Sequence, residues 1–206
     1  MTSNSDAYLI IDAISEGFYK EKGSKFLAFA IPCDNKAAAK VHIDGLRKAH
    51  HQACHVCFAW RFGAEDYSDR YSDDGEPNNS AGKPIFGQIL SFKLTNILIA
   101  VVRYYGGTNL GVGGLITAYK SAAKEALELA ELKTRYISSH YTIKHEYQDT
   151  GNVMNVLNKI KAQITNQGFA NNKPTIDFNI NRSEKDRVIT SFEPYPKVEI
   201  EHIKTI

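Results

Sequence analysis

No apolar run in this chain reaches the roughly 18 residues that a membrane-spanning helix needs. The opening residues, MTSNSDAYLIIDA, lack the basic stretch and apolar core of a secretory leader, so the expectation is a soluble protein of the cytoplasm. Cysteine is scarce: Cys33, Cys54 and Cys57 are too few, and odd in number, for a disulfide framework, which agrees with a reducing compartment. Net charge is almost absent at +2, so no whole-molecule field argues for nucleic acid, and any such binding has to come from a local patch. Repeats and low-complexity tracts are missing. What is present suffices for folding: 206 residues, 43% of them hydrophobic, can make one large domain or two small ones.

The most distinctive stretch is 96–120, NILIAVVRYYGGTNLGVGGLITAYK. Residues 97–102 form the short β-branched run of a buried strand, which ends on a cation and two aromatics, Arg103, Tyr104 and Tyr105. Gly106, Gly107, Gly111, Gly113 and Gly114 follow, and a helix is predicted over 115–132 with Ala118, Ala122, Ala126 and Ala130 on one stripe. Strand, glycine-rich loop and helix N-terminus in succession offer a backbone surface that a ligand can approach closely.

Upstream, 8–33 reads as two strands around a turn at 21–24, and Asp34 as the N-cap of a helix running to about His50. A strand is predicted over 53–62. The polar, acidic segment 63–83 reads as loop, and a short helix over 85–92 precedes the central strand. Downstream of a boundary near Lys133 and Thr134 the pattern becomes strand 139–147, helix 150–164, strand 168–171, strand 175–181, helix 183–192 and strand 197–203. That βαββαβ order is the ferredoxin-like arrangement. The fold class is α+β, with domains at 1–134 and 135–206.

Cys54 and Cys57 form a C-x-x-C, but on a strand their side chains alternate between faces and cannot share a metal; no second pair completes a Cys₄ set. His55 and Cys57 do share a face, which permits a nucleophile reading in which the imidazole activates the thiol, set against plain packing of the strand face. The acidic segment Asp73-Asp74-Gly75-Glu76 offers carboxylates to a cation yet fails the EF-hand spacing, and its alternative is a solvated turn. The glycine loop fits neither the P-loop nor the dinucleotide fingerprint. Its glycines suit either phosphate contact or tight helix–strand packing.

Tyr71-Ser72-Asp73-Asp74-Gly75-Glu76-Pro77, Ala81-Gly82-Lys83-Pro84-Ile85, Leu94-Thr95-Asn96, Val101 to Gly107, Leu110 to Leu115 and Ala118-Tyr119 closely resemble the signature of the IMPACT/YigZ family. Ala53-x-His55-x-Cys57-x-Ala59-Trp60 is similar to its strand. Asn78-Asn79-Ser80 and Thr108-Asn109 depart from the family's usual small or apolar residues. The resemblance spans about residues 5–133 and implies a ribosomal-protein-S5-domain-2-like domain with its helices on one face of a sheet. The remainder resembles domain V of elongation factor G, as in the bacterial two-domain members. Eukaryotic relatives regulate translation by competing for an activator of a stress kinase.

The function implied is a non-catalytic, translation-associated binding or regulatory protein without a cofactor. It would meet a protein partner, RNA or the ribosome through Asp73, Asp74, Gly75, Glu76, Lys83, Arg103, Tyr104, Tyr105, Gly106, Gly107, Gly111, Gly113, Gly114 and Lys120. The acidic segment favours a protein partner, because its carboxylates would repel RNA phosphate. The alternative is a phosphate-binding enzyme of the small-molecule-kinase type, with the glycine loop on a nucleotide and Asp73 or Asp74 on Mg²⁺.

Overall fold

In the computed structural model, which describes residues 6–205, the chain contacts divide into two compact units. Tyr8–Arg135 forms one, and residues 136–205 with residues 6 and 7 form the other. The first contains β1 (Ala7–Ile11), β2 (Ser15–Glu21), β3 (Ser24–Pro32), α1 (Lys36–Ala49), β4 (His55–Phe62), β5 (Ser68–Ser72), α2 (Gly82–Ser91), β6 (Ile97–Tyr104), α3 (Gly111–Glu128) and β7 (Leu132–Tyr136). Five strands make an antiparallel sheet in the order β2-β3-β6-β4-β5, and β1 pairs with β7 in a separate ribbon.

β6 sits at the centre with residues 97–103 all buried, which explains its unbroken apolar run: covered on both sides, it has no solvent face to mark with polar residues. Alternation divides the sheet residues between two cores. Phe26, Ala28, Cys57, Ala59, Ile99 and Val101 pack under α2 and α3. Leu27, Phe29, Val56, Phe58, Trp60, Leu98, Ala100 and Val102 face α1. Helices therefore cover both faces of the sheet, a departure from the one-sided arrangement that the resemblance implied.

Other differences are local. The segment 8–33 holds three strands, and the acidic segment contains β5, an edge strand held by polar means. Arg61 grips Asp69 with two bonds at 2.8 and 2.9 Å, and Arg70 lies over the Trp60 ring at 5.5 Å. Hydrophobic patterning cannot register such a strand. Asn35, not Asp34, caps α1, accepting from the Ala38 N–H at 2.9 Å. α3 begins at Gly111, so Gly113 and Gly114 belong to its first turn. No described helix is long and apolar enough to cross a membrane.

The second unit runs β8 (Ser138–Lys144), α4 (Thr150–Lys159), β9 (Gln163–Ala170), β10 (Lys173–Asn181), α5 (Lys185–Phe192) and β11 (Glu199–Thr205). Its sheet order, β11-β8-β10-β9, is the ferredoxin-like one. Tyr141, Ile143, Ile176, Phe178 and Ile180 bury against Val153, Leu157, Val188 and Phe192. The opposite sheet face is polar, with Thr142 donating to Asp177 at 2.6 Å and His140 bonded to Asn179 at 2.6 Å.

Candidate functional site

β6 ends by sending two neighbouring side chains in opposite directions. Arg103, paired in register with Phe26 and His55, turns to the α2/α3 side, and Tyr104 turns to the α1 side. On the first side the segment between β5 and α2 delivers Glu76, whose side chain is only 3% exposed. Its Oε1 accepts from Arg103 Nη1 at 2.5 Å and from the Tyr119 hydroxyl of α3 at 2.7 Å. Cys57 of β4 completes the cluster, its sulfur 3.0 Å from the Asp73 carbonyl and 3.3 Å from the Tyr119 oxygen. His55, one quarter exposed, donates its Nδ1–H to the Asp74 carbonyl at 2.7 Å and leaves Nε2 3.9 Å from Glu76 Oε1.

The two aspartates hold the segment in this shape. Asp73 accepts from the backbone N–H groups of Asn79, Ala81 and Gly82 at 2.8–3.0 Å, which satisfies donors at the N-terminus of α2 and opposes its positive dipole end. Asp74 accepts from the Val56 N–H and from Arg47 Nη2, both at 2.7 Å. Asp74 at φ 45 and Gly75 at φ 89 make the left-handed turn that swings Glu76 inward.

Burial keeps two of these groups protonated. Burial pushes the Cys57 thiol far above its ordinary value, against the smaller lowering effect of its bond to Tyr119. Burial raises the Tyr119 phenol likewise, helped by Cys57 and Glu76. A neutral thiol is a poor nucleophile, so the His55–Cys57 pair has the shared face that nucleophilic chemistry asks for without the protonation state. Arg103 Nε is buried with no hydrogen-bond partner among the described residues, while the guanidinium carbon lies 5.5 Å from the Phe26 ring centre and 5.6 Å from that of Tyr105.

The expected site residues therefore divide. Asp73, Asp74, Gly75, Glu76 and Arg103 come together. Tyr104 does not join them: its hydroxyl bonds His50 Nδ1 at 2.8 Å on the far face. Tyr105 is 48% exposed, and Lys83 and Lys120 are exposed as well. Gly106 is a packing glycine, since a Cβ there would stand 2.0 Å from the Gly23 carbonyl carbon. Gly107 and Gly111 have positive φ, Gly114 abuts the Leu110 side chain, and a Cβ on Gly113 would meet nothing within 4 Å. Among the described residues no three of His, Cys, Asp and Glu are grouped to hold a metal. Tyr119 is the participant that sequence reasoning missed. Its signal is a phenol set in an alanine stripe, where a buried hydroxyl demands a partner.

Residues 22–127 match the profile of the Impact N-terminal domain. The chain is 35% identical over 150 residues to the IMPACT family member YigZ of Escherichia coli, covering 72% of this chain and 74% of that protein. This chain belongs to the IMPACT family. A second IMPACT family member, from Haemophilus influenzae, is 32% identical over 153 residues, or 73% of this chain and 74% of that one. A solved structure described only as a hypothetical protein superposes with a TM-score of 0.72 at 28% identity, covering 96% of this chain and 98% of its own. The whole Glu76–Arg103–Tyr119 cluster of this IMPACT protein lies inside the segment that matches the family profile.

Proposed function

We propose that this IMPACT protein is a non-catalytic binding module in translation control that meets a protein partner through the surface at residues 105–116. The observation that carries this reading is the inward turn of every charged group in the cluster. Asp73, Asp74, Glu76 and Arg103 are taken up by the protein's own N–H, guanidinium, hydroxyl and carboxylate groups. Tyr105, Val112 and Ile116 meanwhile stay 48%, 52% and 37% exposed on the adjoining loop and first turns of α3. Apolar side chains beside bare glycine backbone suit a protein partner, which buries such groups at the centre of its contact. The link to translation is what the IMPACT resemblance implies, through eukaryotic relatives that regulate translation. The phosphate-binding enzyme draws less support, because Asp73 and Asp74, which it assigns to Mg²⁺, already accept three and two hydrogen bonds.

The test is a cell-free translation reaction with a reporter, supplemented with the purified chain. The protein is expected to change reporter yield, and Ile116→Asp to abolish that effect without lowering the unfolding midpoint. Gly113→Ala separates binding from stability. It should stabilise the helix by about 0.5–1 kcal/mol, since Gly is the poorer helix former, while weakening the effect on translation by placing a methyl on the contact surface. A chain that leaves translation unchanged but gains thermal stability only with nucleotide and Mg²⁺ would overturn the proposal in favour of the enzyme.

A further inference from the structure

Strand β2 treats its two sides very differently. Toward α3 it packs so closely that a Cβ on Gly17 would come within 2.4 Å of the Ala126 nitrogen. Toward α1 it is open, because α1 lies chiefly over β4 and β6 and reaches β3 where His50 meets the Phe29 ring, 5.7 Å between centres. Phe18 stands there 49% exposed, and its register partner Leu27 and the nearby Phe29 are only partly buried. Lys20, Lys25 and Tyr104 are register neighbours across β2, β3 and β6 and so form a row on the same face. Directly paired residues of an antiparallel sheet lie about 5 Å apart, so the lysines stand beside the aromatic and aliphatic surface.

We propose that this open face binds single-stranded nucleic acid, with a base stacked on Phe18 and phosphates on Lys20 and Lys25, Lys22 at the hairpin tip extending the basic edge. Charge complementarity selects the occupant. None of the three lysines is ion-paired among the described residues, and Glu16, opposite Phe29, is the one acidic residue that β2 presents on this face. Glu21 alternates to the other side, where the Tyr19 hydroxyl bonds it. Aromatic surface flanked by cations on an exposed sheet is a platform for unpaired bases, whereas a duplex hides its base faces. Pairing of a foreign strand along the β2 edge is opposed at its middle, where the Phe18 N–H is held by Glu125 Oε2 at 2.6 Å. The face meets residues 105–116 only at the hairpin tip, where the Gly106 N–H bonds Ser24 Oγ at 3.1 Å, and shares none of Phe18, Lys20 and Lys25 with them, so it adds to the proposed function and does not depend on it.

Fluorescence anisotropy with labelled oligouridine, oligothymidine and a duplex of equal length, at a series of salt concentrations, tests the assignment. The single strands should bind, and more tightly than the duplex. Phe18→Ala should weaken them about tenfold, in keeping with the stacking of one base. The Lys20→Gln, Lys25→Gln double variant should flatten the slope of log affinity against log salt by about 1.4, the loss of two phosphate contacts on a single strand. Ile116→Asp and Gly113→Ala should leave this binding unchanged. Preference for oligouridine over oligothymidine would make the natural ligand RNA, and equal binding would extend the face to both. Absence of single-strand binding at low salt, equal affinity for the duplex, or binding indifferent to both sets of β2–β3 variants would overturn the proposal.

Discussion

Arg103 and Tyr104 are neighbours on one strand, and the two sides of the sheet that they enter follow different rules. Under α2 and α3 every charged group is matched: Glu76 holds Arg103 and Tyr119, and two aspartates pin the covering segment. On the α1 side the same end of the sheet carries the Tyr104–His50 bond, the half-exposed Arg47–Asp74 pair and a row of exposed lysines. One side is closed by its own hydrogen bonds, and the other leaves side chains exposed. The contrast teaches that a cluster of titratable side chains is poor evidence of a reactive site until the direction of each one is known.

The sharpest way to break the contrast is Glu76→Gln, which strands the Arg103 charge in a buried site. Loss of one partner of such a pair costs about 3–5 kcal/mol, to be read as a lower urea midpoint through Trp60, the single tryptophan of the chain. Adding Arg103→Met should recover most of the loss. Gly106→Ala should cost about 1–3 kcal/mol, because its methyl collides with backbone at 2.0–2.1 Å and not with a movable side chain. Alkaline pH probes the same side. With its folded-state pKa raised, Cys57 keeps its proton while the unfolded thiol loses it above the ordinary value of 9.0. Stability from this group is thus intact below pH 9 and falls at higher pH by about 1.4 kcal/mol per unit; Cys57→Ala should remove that slope between pH 9 and 10 in denaturation curves. The smallest effect belongs to the open side: Tyr104→Phe deletes its bond to His50 and should cost about 1 kcal/mol.

Much of this was legible beforehand. The buried run of β6, the hairpin turn at Lys22 and Gly23, α1, and the βαββαβ order of the second unit all follow from apolar periodicity and turn residues. So does the sharing of one face by His55 and Cys57. The family resemblance rested on ordered motifs long enough to be specific, and the comparisons bear it out. Where prediction faltered, the cause was direction or polarity. Asp73 and Asp74 looked like solvent-facing carboxylates that would repel phosphate, yet apart from Arg47 their partners are backbone N–H groups, which carry no residue signature. β5 is hidden because ion pairs and a cation–aromatic contact replace apolar alternation. Gly113 and Gly114 read as loop since glycine is a weak helix former, although the packing of Leu115, Ala118 and Tyr119 extends α3 back over them.

The central place of β6 also dictates the order in which the molecule can be assembled. Both of its neighbours, β3 and β4, precede it in the chain and bond to it but not to each other. During synthesis the two halves of the sheet must wait, with inner edges unpaired, for roughly forty further residues after β4 is complete, a few seconds at ordinary rates of elongation. Arrival of that one strand closes the sheet and completes the core that faces α1, while the opposite core still waits for α3, which follows β6 in the chain. The newborn first unit is therefore most open to mispairing just before Tyr104 emerges.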